Sequence, residues 1–297
     1  MRTNRQKIAI VTVDYNSYQD TVRLVRSVSH LRWDHPIRVV VVNNATDAES
    51  KALLDTLAED YGNMVVCHSP TNLGYFGGLN YGLPSALAVD PEWIIFCNAD
   101  IIFIESDFVE RLFQLSVDES VLALAPDVIT RKERHQNPFF LKRPSRARWL
   151  IYDIYFSCYA VFRLMLLAND LTKFLVGGRG WKPSQLPDIP MDIYAPHGAC
   201  FILNKRYFDI YPRLDDTLML YGEEIILAET VRAVGGRILY VPGLKVLHNQ
   251  SGNIARHLGR SSYHAFQVER EVHRYLTQRY FLQRGTRKDN AKAKYIG

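Results

Sequence analysis

Three groups of residues in this chain have types and spacing suited to chemistry. The first is Asn98-Ala99-Asp100, which follows directly on Trp93-Ile94-Ile95-Phe96-Cys97. A run that is apolar at every position, rather than every second one, reads as a strand covered on both faces of a sheet. A carboxylate just past such a strand sits where open α/β sheets bind ligands. An ordinary strand-ending turn explains the same residues, because Asn and Asp favour turns. The second group is the carboxylate pair Glu223-Glu224, after Tyr221-Gly222 and ahead of the apolar run Ile225–Val234. Carboxylates at a helix N-terminus are stabilised by the helix dipole, and plain helix-end charges are the competing account. The third is His197-Gly198 together with His248. A lone histidine is usually structural, so His248 counts as a ligand only if the fold brings it to Asp100.

The elements that would position these groups alternate at short intervals. Lys7–Val13 is a buried-strand run ending in Asp14-Tyr15-Asn16. A helix capped at Asp20 or Thr21 follows and is broken by Pro36. Ile37–Val42 is a second strand, ending in Asn43-Asn44-Ala45-Thr46-Asp47. A helix over 50–60, a short strand Met64–Cys67, a helix reaching about Val89 and the strand Trp93–Cys97 complete the first half. Strand–helix alternation of this kind predicts βαβ units and a parallel sheet. Right-handed crossovers then bring the ends at Asp14/Asn16, Asn43/Asn44 and Asn98/Asp100 to one rim. Three polar ends on one rim are harder to dismiss as three unrelated turns.

Between the third strand and its helix lies Asn72-Leu73-Gly74-Tyr75-Phe76-Gly77-Gly78-Leu79-Asn80. Gly74, Gly77 and Gly78 can take positive φ and admit a ligand close to the backbone, and amides opening a helix can cradle phosphate. A dinucleotide fingerprint would follow the first strand, which here ends without glycine, and this argues against a nicotinamide-binding Rossmann domain.

Composition bounds the class. The 297 residues are 47% hydrophobic and 23% charged, enough for one large α/β domain or two modest ones. The net charge of +5 suits an anionic small molecule or a lipid surface and is too weak to argue for nucleic acid. Cys67, Cys97, Cys158 and Cys200 are widely spaced, which favours neither a zinc site nor a disulfide framework. The start of the chain is polar and then enters a strand, unlike a secretory leader, and the expected compartment is the cytoplasm.

Beyond a helix at Phe108–Leu115 and a strand at Val121–Ala125 the character changes. Residues 131–148 contain Arg131, Lys132, Arg134, Lys142, Arg143, Arg146 and Arg148, and Trp149–Leu167 is apolar and aromatic. Asp153 and Arg163 make the latter a poor membrane span. A basic stretch beside an aromatic helix fits contact in the plane of a membrane; packing on the domain or on a second copy fits equally. Residues 177–190 read as a flexible loop. A turn at His197-Gly198 then feeds the strand to Leu203, Gly235-Gly236 close the helix after Glu224, and Arg237–Val241 is a strand. A helix is expected over Tyr263–Leu282, followed by a basic, disordered end at 284–294.

Taken in order, Val11–Asn16, Val40–Asp47, Asn72–Asn80, Asn98-Ala99-Asp100, His197-Gly198-Ala199, Tyr221–Glu224 and Val241-Pro242 through His248 resemble a family 2 glycosyltransferase of GT-A fold. The flavour is that of rhamnosyltransferase-like enzymes of bacterial surface polysaccharide synthesis. The resemblance implies an α/β fold with a mostly parallel central sheet flanked by helices. It implies a GT-A domain over 1–260, with a helical, basic insertion at 131–190, and a C-terminal helix and tail at 261–297. It further implies a UDP- or dTDP-linked sugar donor, a glycan or lipid-linked acceptor, and a divalent cation, Mg²⁺ or Mn²⁺. Asp100 would hold that cation, with His248 completing the site. Asp14, Asn16, Asn43 and Asn44 would hold the nucleoside. Asn72, Gly74, Gly77, Gly78 and Asn80 would line the diphosphate and sugar side, and Asn98, His197 and Gly198 also fall in the donor site. Glu224, beside Glu223, would be the general base that takes the acceptor's proton in an inverting transfer. A peripheral position at the inner face of the membrane and a homo-oligomer are compatible with this reading.

Departures from the family pattern stand at Val42, Asn98, Glu224 and Ile226, where carboxylates or a shorter Asp are usual. They leave open a non-catalytic subunit that binds a sugar nucleotide in an assembly complex. A nucleotidyltransferase of similar fold is a third reading, but no basic glycine-rich triphosphate loop follows the first strand.

Overall fold

A computed structural model describes residues 7–45, 47–176, 188–250 and 263–282. The expected loop over 177–190 and the basic end at 284–294 lie largely or wholly outside these residues.

The first half is the predicted βαβ series: β1 (Ile8–Asp14), α1 (Tyr18–Ser29), β2 (Arg38–Asn43), α2 (Ala48–Asp60), β3 (Met64–His68), α3 (Gly74–Leu87) and β4 (Trp93–Asn98). Next come β5 (Ile101–Phe103), α4 (Phe108–Gln114) and β6 (Val121–Thr130), then α5 (Arg146–Tyr155) and α6 (Tyr159–Val176). The remainder is β7 (Met191–Ile193), β8 (Cys200–Asn204), α7 (Lys205–Ile210), α8 (Glu223–Ala233), β9 (Arg237–His248) and α9 (Tyr263–Leu276), which ends in a π-helical turn at Thr277–Phe281. All nine strands form one sheet in the order β3-β2-β1-β4-β8-β6-β9-β5, with β7 also on β9.

The sheet is parallel from β3 to β4. β8 then enters antiparallel between β4 and β6, while β6 and β9 pair parallel to each other. The mixed second half has a topological cause: β8 runs back from the site edge and needs no crossover helix on its return. The carboxyl ends of β1, β2, β4, β6 and β9 and the amino end of β8 therefore meet at one edge.

Why β1 and β4 are mostly apolar is visible in the packing. Ala9, Val11, Ile94 and Phe96 face one core, with Phe201 and Ile226. Ile8, Ile10, Ile95 and Cys97 face the other, with Leu24 and Phe108. Both faces are covered, so a polar side chain there is costly unless it is partnered. Cys97 and Cys200 sit in these cores as small apolar groups with thiols pushed up by burial.

Two readings of extent change. The strands at Val121 and Arg237 run on to Thr130 and His248, because each pairs with the other along its length around a register shift at Pro126/Asp127. The aromatic run at 149–167 is not one helix but two, bent by 113° at the break between Tyr155 and Tyr159. The Ser157 hydroxyl and N–H both turn back onto the Ile154 carbonyl and end the first helix there. Phe156 and Phe162 then pack against His273 and Phe266 of α9. Among the described residues, no single helix is long and apolar enough to cross a membrane.

Helix α3 lies so close to the sheet that a Cβ on Gly82 would stand 2.7 Å from Val42, 3.0 Å from Val40 and 3.1 Å from Val11. Gly82→Ala is expected to lower stability by about 1–3 kcal/mol through overpacking. Chemical denaturation would read it as a lower midpoint at unchanged slope.

Candidate functional site

At the common edge, β4 delivers Asn98 and, two residues on, Asp100, while β9 ends at His248, paired in register with Ile101. Asp100 Oδ1 and His248 Nε2 are 3.2 Å apart, so the fold makes the meeting on which the role of His248 depends. The other imidazole nitrogen, Nδ1, is 2.6 Å from the Gln136 side-chain oxygen. With the proton on Nδ1, donated to Gln136, Nε2 turns its lone pair towards the carboxylate. Two acceptors at this distance repel unless a proton or a cation lies between them. Oxygen and nitrogen ligands about 2.1 Å from a cation and at right angles to one another are about 3.0 Å apart. The Asp100–His248 pair fits that spacing, and the Gln136 contact is the outer-shell arrangement that ligating histidines use. No group of three His, Cys, Asp or Glu side chains poised for a metal occurs among the described residues.

His197 stands beside this pair, its ring 6.0 Å from that of His248. Its N–H donates to Asn137 Oδ1, and its Nδ1 accepts the Ala199 N–H. Burial, reinforced by His248, lowers its pKa to about 4, so it stays neutral. The next residue, Gly198, donates its N–H to Glu224 Oε1 at 3.2 Å and accepts the Tyr75 hydroxyl at 2.9 Å. Glu224, Gly198, His197, His248 and Asp100 thus form one contiguous wall.

The approach to α8 is unusual. Tyr221 and Gly222 both have positive φ, 69° and 85°. For Tyr221 this is a strained backbone, held by its N–H donating to Glu223 Oε1 at 2.8 Å. Burial raises the pKa of both Glu223 and Glu224, and mutual repulsion adds to the rise at Glu223; hydrogen bonds from backbone amides oppose it. The helix dipole is outweighed by lost hydration.

The residues first assigned to the donor divide into two sets. Asp14, Asn43 and Asn44 are buried. Asp14 accepts from the Thr21 hydroxyl and the Ser17 N–H, and burial raises its pKa. Asn43 accepts from the Ala45 N–H. Asn44 donates to the Gly74 carbonyl at 2.8 Å and accepts from the Ser69 hydroxyl. Asn80 is spent on both backbone groups of Leu214. These side chains brace the loops around the crevice. Gly74, at φ 73°, makes room for the Met219 carbonyl, and Gly78 for the close approach of Val13 and Asn44. Gly77 is buried beside Leu73. On the open side are Asn16, Asn72 and, half-buried, Asn98. Gln136 and Asn137, which set the two histidines, lie outside the motifs legible in the sequence. Nothing in the spacing around 136–137 signals such a role, whereas Tyr75 stood inside a stretch already singled out.

The fold is that of glycosyltransferases of the GT-A type, and the chain belongs to glycosyl transferase family 2, whose model matches residues 9–169. That span contains Asp14 through Asp100 but neither Glu224 nor His248. The chain is similar to the N-acetylglucosaminyl-diphospho-decaprenol L-rhamnosyltransferase of Mycobacterium tuberculosis, 23% identical over 258 residues, 84% of this chain and 78% of that protein. Among solved structures it is similar to the mannosyltransferase PcManGT from Pyrobaculum calidifontis in complex with GDP-Man and Mn²⁺, with a TM-score of 0.51 and 14% identity over 85% of this chain and 59% of the other. GalNAc-T7 with UDP, GalNAc and Mn²⁺ gives a TM-score of 0.56 at 14% identity, covering 83% of this chain and 44% of that one. The S. aureus TarS 1-349 complex with UDP gives 0.52 at 14% identity, over 82% and 60%. The chain spans less than two-thirds of each of these solved chains, and the likeness to them is one of fold.

A carboxyl whose pKa is raised in the fold stabilises it below the ordinary value, and that contribution is lost as pH rises through the folded-state value. Glu223→Gln, which keeps the acceptor for the Tyr221 N–H, removes the cost of ionising Glu223 beside Glu224. The variant should match the parent below about pH 4.5, the ordinary value of the group, and exceed it by about 1 kcal/mol or more in alkaline buffer. Urea titrations across pH would show the two curves separating; a constant difference at every pH would refute the buried-charge account.

Proposed function

We propose that the chain is an inverting, divalent-cation-dependent glycosyltransferase. It moves a sugar from a UDP- or dTDP-linked donor to a hydroxyl of a lipid-linked or polysaccharide acceptor. The observation that carries the reading is the convergence of the Asp100–His248 pair and Glu224 on one sheet edge, joined through His197 and Gly198. Family membership, the rhamnosyltransferase relative and the nucleotide-bearing solved structures support it.

In this reading Asp100 and His248 hold the cation, which when bound offsets the charge that builds on the departing diphosphate. Gln136 holds the His248 ring with Nε2 facing inward. Glu224 takes the proton from the acceptor hydroxyl as that oxygen attacks the anomeric carbon. A single base and a direct displacement give inversion. A buried, charge-coupled carboxylate binds a proton more tightly than an exposed one and is the stronger base for it. Glu223 holds the Tyr221 turn that leads into the base. Tyr15 and Asn16, on the open side of β1, face the nucleoside, and neutral His197 closes the wall without adding charge.

Glu224→Gln should cut transfer by roughly 10²–10⁴-fold while donor binding survives. Asp100→Ala should remove both turnover and the Mn²⁺ dependence of donor binding, read by calorimetry with and without chelator. The rate should rise with pH through a midpoint above the ordinary carboxylate value of 4.5, because the base works only when deprotonated. Full transfer by Glu224→Gln would overturn the assignment of the base.

A further inference from the structure

The bent pair α5–α6 presents an apolar surface that nothing among the described residues covers. Leu150, Ile151 and Ile154 share one side of α5, and Leu164 and Leu167 one side of α6; these five are 52–67% exposed. Trp149 points the other way, buried and stacked on Phe281 at 3.7 Å. The inner side of the pair is therefore fixed, and the outer side is left to another partner.

Charge selects that partner. Residues 131–167 hold eight Lys and Arg against two acids, Glu133 and Asp153, a net +6 that exceeds the +5 of the whole chain. The rest of the protein is close to neutral. Lys142, Arg146 and Arg148 are exposed at the start of α5, beside the apolar side chains. A second copy of so cationic a face would repel the first, whereas an anionic bilayer surface attracts it and takes the leucines and isoleucines into its acyl boundary.

The face is also continuous with the crevice. Phe139 meets the His197 ring edge-on at 5.5 Å, and Arg148 lies over the Phe140 ring at 5.7 Å. We propose that α5–α6 is an in-plane docking surface for an anionic lipid bilayer, which sets the crevice against the membrane. The proposal goes beyond the transferase reading, and vesicle binding needs neither donor nor cation, so the two can fail separately.

The test is co-sedimentation of the full chain with phosphatidylcholine vesicles, with and without phosphatidylglycerol. Binding is expected to the anionic vesicles and to weaken with added salt. Lys142→Glu with Arg146→Glu, and separately Leu150→Glu with Ile154→Glu, should each weaken it by roughly tenfold or more. Far-ultraviolet circular dichroism and donor binding, unchanged in both double variants, would show that they fold. No binding to anionic vesicles overturns the proposal. So does binding that survives the Leu150/Ile154 pair, or a dimer in light scattering that this pair dissociates while vesicle binding is absent.

Discussion

The crevice depends on one hydrogen bond, from the Gly198 N–H to Glu224 Oε1 at 3.2 Å, which joins the amino end of β8 to the first turn of α8. A Cβ at position 198 would stand 3.1 Å from that same oxygen, so a larger residue would have to displace the carboxylate. The Gly198 carbonyl takes the Tyr75 hydroxyl, which fixes the peptide at both ends. Burial makes charge on Glu224 costly, and the amide offsets only part of that cost. The result is a carboxylate fixed in place yet reluctant to lose its proton, the combination that the proposed role as general base requires.

Around this contact the polar residues divide by burial. Asp14, Asn43 and Asn44 have little or no access to solvent and satisfy backbone and hydroxyl groups of the loops that follow β1, β2 and β3. A buried amide or carboxylate must be fully partnered, and those partners are what hold the loops in place. The exposed Asn16 and Asn72 and the half-buried Asn98 and Asp100 are then left on rigid supports at the crevice surface.

The C-terminal helix belongs to the same construction. Val272 and Leu276 of α9 back Gly222, where the chain turns into the carboxylate pair. His273 of α9 is 2.6 Å from Asp153 of α5, and the Trp149 indole donates to the Thr277 hydroxyl. Arg143 pairs with Glu229 of α8 and donates to the Tyr280 carbonyl. One side of the α5–α6 insertion is thus pinned to α8 and α9, which leaves its other, apolar and basic side as an exposed face of fixed shape.

The sequence by itself determined the first half of this fold. Runs that are apolar at every position fit only strands covered on both faces, and their alternation with helical segments left few topologies for β1 to β4. It also marked Asn98-Ala99-Asp100, because polar residues directly after such a run stand out, and Glu223-Glu224, because a carboxylate pair opens an apolar helical run. Tertiary structure decided the rest. That Asp100 meets His248 follows from the pairing of β5 with β9, 143 or more residues apart in the chain, and no local pattern encodes it. The bracing roles of Asn44 and Asn80, and the hold of Gln136 on His248, are likewise contacts between distant segments. An Asn that lines a crevice and an Asn that braces one look alike in sequence, because the difference is burial, and burial exists only once the chain has folded.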